Sequence, residues 1–328
     1  MFFFDRYRDL PALPARPMTA LSPSAHRLSF AFFLLAVSCQ GGSAPSCKGL
    51  PASCGPSTKG DCCQSLLVAG GRFARGYDGV DFLDPADVAT VSDFYLDKYE
   101  VTVGRFRMFV NAGRGSQESS PGEGAGAHPK IRGSGWNAAW NGKLPLNTAA
   151  LKAALKCDAR YQTWTDTANG NESKPVNCLD WFTAFAFCAW DRGRLATEAE
   201  WNYAASGGSE HRYYPWSTPP TSTIIDDSYA VYCGGSCRLL NVGSRSPKGD
   251  GKWGQSDLGG NVWEWTLDFA GGAYPMPCDD CAAVKKGSYR AFRSGSNDDI
   301  AATLRSAVRH IYSPEYRGVV GARCARTP

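Results

Sequence analysis

The sequence predicts a loop-rich α+β fold pinned by aromatic rings and disulfides, and three observations predict it. Glycine is high at 36 and tryptophan at 10 of 328 residues, a composition that disfavours a helical bundle. Strand-like alternation and helix-like spacing both occur, in short stretches separated by long segments rich in Gly, Ser and Pro. The 13 cysteines supply cross-links once the chain reaches an oxidising compartment. This length buries a substantial core, as one large domain or two small ones.

The first 38 residues read as an export signal. His26 and Arg27 precede an apolar run from Leu28 to Val37, ten residues long. That is too short to span a bilayer and suited to a signal-peptide core. Residues before Met18 add Pro and Arg without pattern, so Met18 is an alternative start. Leu35-Ala36-Val37-Ser38-Cys39 resembles a bacterial lipobox, which makes Cys39 the lipidated first residue of the mature protein. A plain secretory signal cleaved nearby is the other reading. Removing Cys39 from the 13 cysteines leaves 12, an even number suited to disulfides.

Residues 39–66 form a tether in which Cys47, Cys54, Cys62 and Cys63 read as a disulfide knot or clip. A zinc site without histidine is disfavoured. The main domain is expected over 67–328. Val91 to Tyr99 alternates as one strand. Thr102 stands as a helix N-cap, with Val101 and Phe106 as a hydrophobic staple and Phe106, Phe109 and Val110 as the buried stripe. Residues 111–147 are long and irregular, and Trp136 and Trp140 there suit either surface recognition or a plug over the core.

Trp181, Phe182, Phe185, Cys188 and Ala189 share one face of a second helix, which ends at Asp191-Arg192-Gly193. Thr197 to Glu200 is a capping box opening a third. Glu198 and Glu200 therefore read as capping and dipole groups rather than paired catalytic acids. Residues 207–254 are mostly loop, with Cys233 and Cys237 near enough to pair. Cys278 and Cys281 form a C-x-x-C, read as a local loop staple rather than a redox centre. Arg305 and Arg309 sit at helical spacing.

The run Gly259-Gly260-Asn261-Val262-Trp263-Glu264-Trp265 organises the rest. Alternation puts Trp263 and Trp265 on one face of an extended segment and Glu264 on the other. A carboxylate there needs a partner, and a hard cation would serve, with Asp257 and close-approaching backbone carbonyls as further oxygen donors. Together with Asp257 and Leu258, this run resembles the signature of the formylglycine-generating enzyme (sulfatase-modifying factor) family. The blocks Tyr99 to Phe106, Phe187 to Trp190, Arg194 to Trp201 and Arg293 to Ser296, and the closing Gly321 to Ala325, match that family in the same order.

The resemblance implies a compact fold related to C-type lectins. It implies calcium held by Asp257, the carbonyls of Gly260 and Val262, and Glu264, an oxygen set suited to Ca²⁺. A second calcium site of some members lacks its asparagine, Val231 standing near that position. A disulfide between Cys188 and Cys324 is implied as well, whereas another maps to Ala205 and Ser306 and is absent. Family enzymes bind copper through two cysteines five positions apart after a Gly-Gly-Ser strand. Here no cysteine lies between Cys281 and Cys324, so copper is not expected. Ser296, Asn297 and Asp298 are the cleft candidates there, and Asn297, Asp298 and Asp299 in the same loop read as a solvated turn, with a site for a hard cation or polar ligand as the alternative.

Formal charge is only +4, with no long basic block, which argues against nucleic acid as a partner. The expectation is an exported, lipid-anchored protein of the bacterial cell envelope, in the outer membrane or periplasm. It would bind an unidentified protein or small ligand through a cleft near Ser296 and the loops carrying Trp136 and Trp140. The alternative is an oxidase that modifies an exported sulfatase or another protein.

Overall fold

The computed structural model describes residues 44–235, 237–285 and 287–328; the expected export signal and Cys39 lie outside them. The strands are β1 (Ser65–Val68), β2 (Gly71–Ala74), β3 (Val88–Val91), β4 (Phe94–Asp97), β5 (Arg194–Leu195) and β6 (Trp263–Ala270). After them come β7 (Cys278–Asp279), β8 (Tyr289–Arg293), β9 (His310–Tyr312), β10 (Val320–Gly321) and β11 (Cys324–Arg326). The α-helices are α1 (Val103–Asn111), α2 (Thr148–Ala154), α3 (Trp181–Trp190) and α4 (Glu198–Ala205). They accompany three small sheets, ordered β1-β4-β11-β5, β10-β6-β8-β9 and β2-β3-β7.

α1 begins where its cap says it should. Thr102 Oγ1 accepts from the Arg105 N–H at 3.2 Å, and Val101 and Phe106 are both buried. The same helix carries a charge inward. Arg105 is fully buried between Asp97 and Asp191, at 2.8 and 2.6 Å, and its Nε reaches Ser46 Oγ at 3.1 Å. Ser46 also donates its N–H to Asp191 Oδ1, so the cysteine-rich segment docks on this ion-pair network. That segment is closed by Cys47–Cys63 and Cys54–Cys62.

α3 departs from the predicted one-faced stripe: every residue from Trp181 to Cys188 is buried. A helix apolar all round belongs at the centre of a core. Trp136 is fully buried and Trp140 half-buried, Trp140 packing edge-on to Trp181 at 5.1 Å. The two tryptophans therefore plug the core, and the recognition role expected of their loop is not what their burial serves. Behind α4 a second cluster gathers Leu96, Trp201, Tyr203 and Leu258.

Two further expectations are corrected. Val91 to Tyr99 is two strands in different sheets, because Ser92 donates its N–H and hydroxyl to Asp280 and Asp93 accepts the Gly70 N–H. The Arg305–Arg309 stretch is not helical. Arg293 Nη1 takes the carbonyls of Ser306, Ala307 and Val308 at 2.8–3.2 Å, the acceptors a helix would have used itself.

Candidate functional site

The signature run builds the site from its backbone outward. Gly260 has φ +99°, and a Cβ there would collide with the Val231 carbonyl, so only glycine fits. Asn261, in the left-handed region at φ +61°, donates its N–H to the Val231 carbonyl and Nδ2 to Glu100 Oε2. Its own carbonyl accepts the Asn297 N–H at 2.9 Å. Asn261 thereby joins two neighbouring features, a nest of buried carboxylates and an open cleft.

Glu100, Asp257 and Glu264 are all buried, and Arg323 is the guanidinium that acts on all three. Burial raises Glu100 well above the usual carboxylate range, with Asp257 and Glu264 adding to it. Burial likewise pushes Asp257 up to about 6 against the Gly243 N–H and Arg323. Glu264 has protein partners: Arg323 grips it with Nε and Nη2 at 2.7–3.1 Å, and Trp201 Nε1 donates at 2.7 Å. Trp263 is half-buried and Trp265 buried, and Glu264 turns to the opposite, equally buried side of β6.

The nest offers oxygen donors, the kind a hard divalent cation takes, although no three His, Cys, Asp or Glu side chains among the described residues are grouped to hold a metal ion by themselves. Three carboxylates face one guanidinium, and the carbonyls of Asp257 and Gly260 converge on a single hydroxyl, Ser294 Oγ, at 3.4 and 3.1 Å. Oxygen donors in charge deficit are what Ca²⁺ takes.

The cleft, about 660 Å³, is lined by Arg160, Lys174 and Arg238, by Tyr161, Gln162 and Asn241, and by Asn297 among others, with no carboxylate in its wall. Arg160 pairs with Asp158 at 2.6 Å. Lys174 and Arg238 have no carboxylate within ion-pair distance among the described residues. Asn297 is 5% exposed, not the solvated residue the sequence suggests. Its Nδ2 donates to the Cys237 carbonyl at 2.9 Å, while its buried Oδ1 has no partner among the described residues. Ser296 is also buried, its hydroxyl held by Asp299 Oδ2 at 2.6 Å. Of the three loop residues only Asp298 is exposed.

The loop from Ser294 to Asp299 presents oxygen and amide groups only, a donor set that does not fit Cu(I), which selects thiolates. The 12 cysteines of the described residues form six disulfides. Cys237, bonded to Cys233, is part of the cleft wall. Cys188–Cys324 joins α3 to β11. Cys278–Cys281 sits on β7 beside β3 and does not line the cleft. The sequence did not point to Cys157–Cys178 directly; its only signal is that these two remain once the local pairs and the family's Cys188–Cys324 are assigned.

The sulfatase-modifying factor enzyme 1-like domain model matches residues 51–328. A formylglycine-generating enzyme of Streptomyces coelicolor is 30% identical over 84% of this chain and 91% of that enzyme. A Mus musculus protein named inactive C-alpha-formylglycine-generating enzyme 2 is also 30% identical, over 61% of this chain and 67% of its own. Among solved structures, PvdO from Pseudomonas aeruginosa superposes with a TM-score of 0.55 at 20% identity, covering 85% of this chain and 99% of that one. Treponema denticola variable protein 1 gives 0.53 at 19% identity, covering 80% and 95%. A match across residues 51–328, on a fold those structures share, places the chain in the sulfatase-modifying factor family.

Proposed function

We propose that this protein is a binding or accessory domain at the bacterial cell envelope, exported and anchored through lipid on Cys39, and that it does not form formylglycine. The observation that carries the reading is the strand-end loop after β8, where Ser296, Asn297 and Asp298 stand and no cysteine lies between Cys281 and Cys324. Without two thiolates, Cu(I) has no ligands there, and the oxygen chemistry of the family has no metal to run on. The inactive mouse relative, 30% identical over 61% of this chain against 84% for the equally identical Streptomyces enzyme, supports a scaffold kept without the oxidase.

Calcium belongs to the same reading as a structural ion. Asp257, the carbonyls of Gly260 and Val262, and Glu264 would hold it, supplying the positive charge that the buried carboxylates lack. What the cleft would bind is a protein segment or small molecule with anionic character, since Lys174 and Arg238 line it without carboxylates. A partner of that kind would also present a hydrogen-bond donor to Asn297 Oδ1, which is buried and unsatisfied.

A second reading, the oxidase, is favoured by the 30% identity to an enzyme of which this chain spans 91%. One assay separates the two. Purified protein is given copper, oxygen and a sulfatase-type cysteine peptide, with an active family member as control, and the product mass is read. An unchanged peptide is expected; loss of the cysteine mass with gain of the formylglycine mass sinks the proposal.

A further inference from the structure

Six arginines are buried among the described residues, and four of them, Arg105, Arg194, Arg293 and Arg323, are ion-paired. Arg290 is held between the rings of Trp181 and Phe269 at 3.6 and 3.4 Å. Arg75 is different. It is 2% exposed, and its N–H groups reach the Asp87 and Pro275 carbonyls, Met276 Sδ at 3.2 Å and Cys281 Sγ at 3.5 Å. The Tyr274 ring lies 4.5 Å away. Asp87 and Asp268 act on it only from beyond ion-pair distance, and burial, the larger effect, holds this guanidinium below its ordinary range.

Cys281 belongs to the C-x-x-C disulfide with Cys278. While oxidised, its sulfur is neutral. Once reduced, a thiolate at Cys281 would put an anion in direct contact with Arg75 Nη1, 3.5 Å away, where the described residues place no carboxylate within ion-pair distance, so the site favours the reduced form. A disulfide whose reduced form is stabilised is an oxidising one. Access points the same way. Cys278 is buried and Cys281 partly exposed, beside an exposed Met276 and Pro277. No other cystine sulfur among the described residues accepts from an arginine.

We propose that Cys278–Cys281 is a thiol–disulfide exchange centre for dithiols on exposed peptide segments, with Cys281 the sulfur attacked and Arg75 stabilising its thiolate. A substrate thiolate attacks Cys281 Sγ, the bond to Cys278 breaks, and Cys278 leaves as a thiolate that takes a proton from water. The second substrate thiolate then attacks the substrate sulfur of the mixed disulfide, and Cys281 departs as the thiolate beside Arg75. Two electrons pass from the substrate, now a disulfide, to the protein pair. A low-molecular-weight disulfide restores the pair by the reverse exchange. This chemistry is independent of the cleft and of any metal.

The test equilibrates the protein in glutathione buffers of graded ratio, traps free thiols in acid, and maps each cysteine by mass. The expected result is that Cys278–Cys281 opens while the other five disulfides of the described residues stay closed. Arg75→Gln should then need about tenfold more reductant for the same opening, about 30 mV, with Arg75→Lys in between. Opening only together with the other disulfides, or an unchanged equilibrium in a folded Arg75→Gln, overturns the proposal. If Arg75→Gln does not fold, the selectively reduced wild-type protein decides. Its Cys281 alkylation rate should rise with a midpoint below about 8.5, the free-thiol value, and a midpoint at or above it overturns the proposal. A reduced two-cysteine peptide should also be oxidised stoichiometrically by the wild-type protein and left reduced by the C278S/C281S variant.

Discussion

Arg105, Arg293 and Arg323 each join parts of the chain far apart in sequence through a charge held inside the domain. Arg323 ties β6 to the backbone after β4 by donating to Glu264 and to the carbonyls of Asp97 and Lys98. Glu200 shows what such pairing does to a carboxylate. Burial raises its pKa, but the facing Arg194 and a hydrogen bond from His128 outweigh it and hold the group at about 2. A depressed carboxylate contributes stability that is complete above its unfolded pKa, near 4.5, and lost as pH falls from there to about 2. The shift corresponds to about 3 kcal/mol at neutral pH. Urea unfolding of Glu200→Gln should show at least that loss at pH 7 and a flatter decline between pH 4.5 and 2; a parallel pair of curves would refute this. Gly260→Ala should cost roughly 2–4 kcal/mol, from a backbone conformation alanine resists and a clash with the Val231 carbonyl. A melting temperature within a degree of wild type would contradict that.

At the scale of elements, local chemistry was legible and distant partnership was not. The Thr102 cap and the Thr197–Glu200 capping box are written within four residues, and both helices start where those signals stand. The break after Val91 was hidden because Asp280, which takes the Ser92 donors, is nearly 190 residues away. The Arg305–Arg309 spacing misled for the same reason, since Arg293 claims the intervening carbonyls. In the candidate site Asp257, Gly260, Val262 and Glu264 were singled out through family resemblance, while the arginine grip on Glu264 and the burial of Asn297 were not legible. The positions of the missing disulfide are instructive: Ser306 Oγ donates to the Ala205 carbonyl at 3.0 Å, so a hydrogen bond stands near where a covalent link would. The link between α3 and β11 remains, across 136 residues. The chain-entropy model gives it about 5 kcal/mol. The C188S/C324S variant should lose most of that in urea unfolding, and a loss under about 1 kcal/mol would mean that packing alone holds the strand.

For the whole molecule, the calcium proposal makes the sharpest demand. With three buried carboxylates facing one guanidinium, an ion that neutralises them should stabilise the fold by linkage. Chelation should therefore lower the melting temperature by several degrees, calcium should restore it, and Asp257→Asn should blunt the response. A melting curve indifferent to both chelator and calcium would remove the ion from this account.

The place of β11 carries a further consequence. It lies between β4 and β5, inside its sheet, although it is the last strand along the chain. The sheet cannot close until β11 enters the slot between them, and until then the edges of β4 and β5 stay unpaired. A chain cut off before Cys324 would keep that slot open, a ready template for a strand from another molecule.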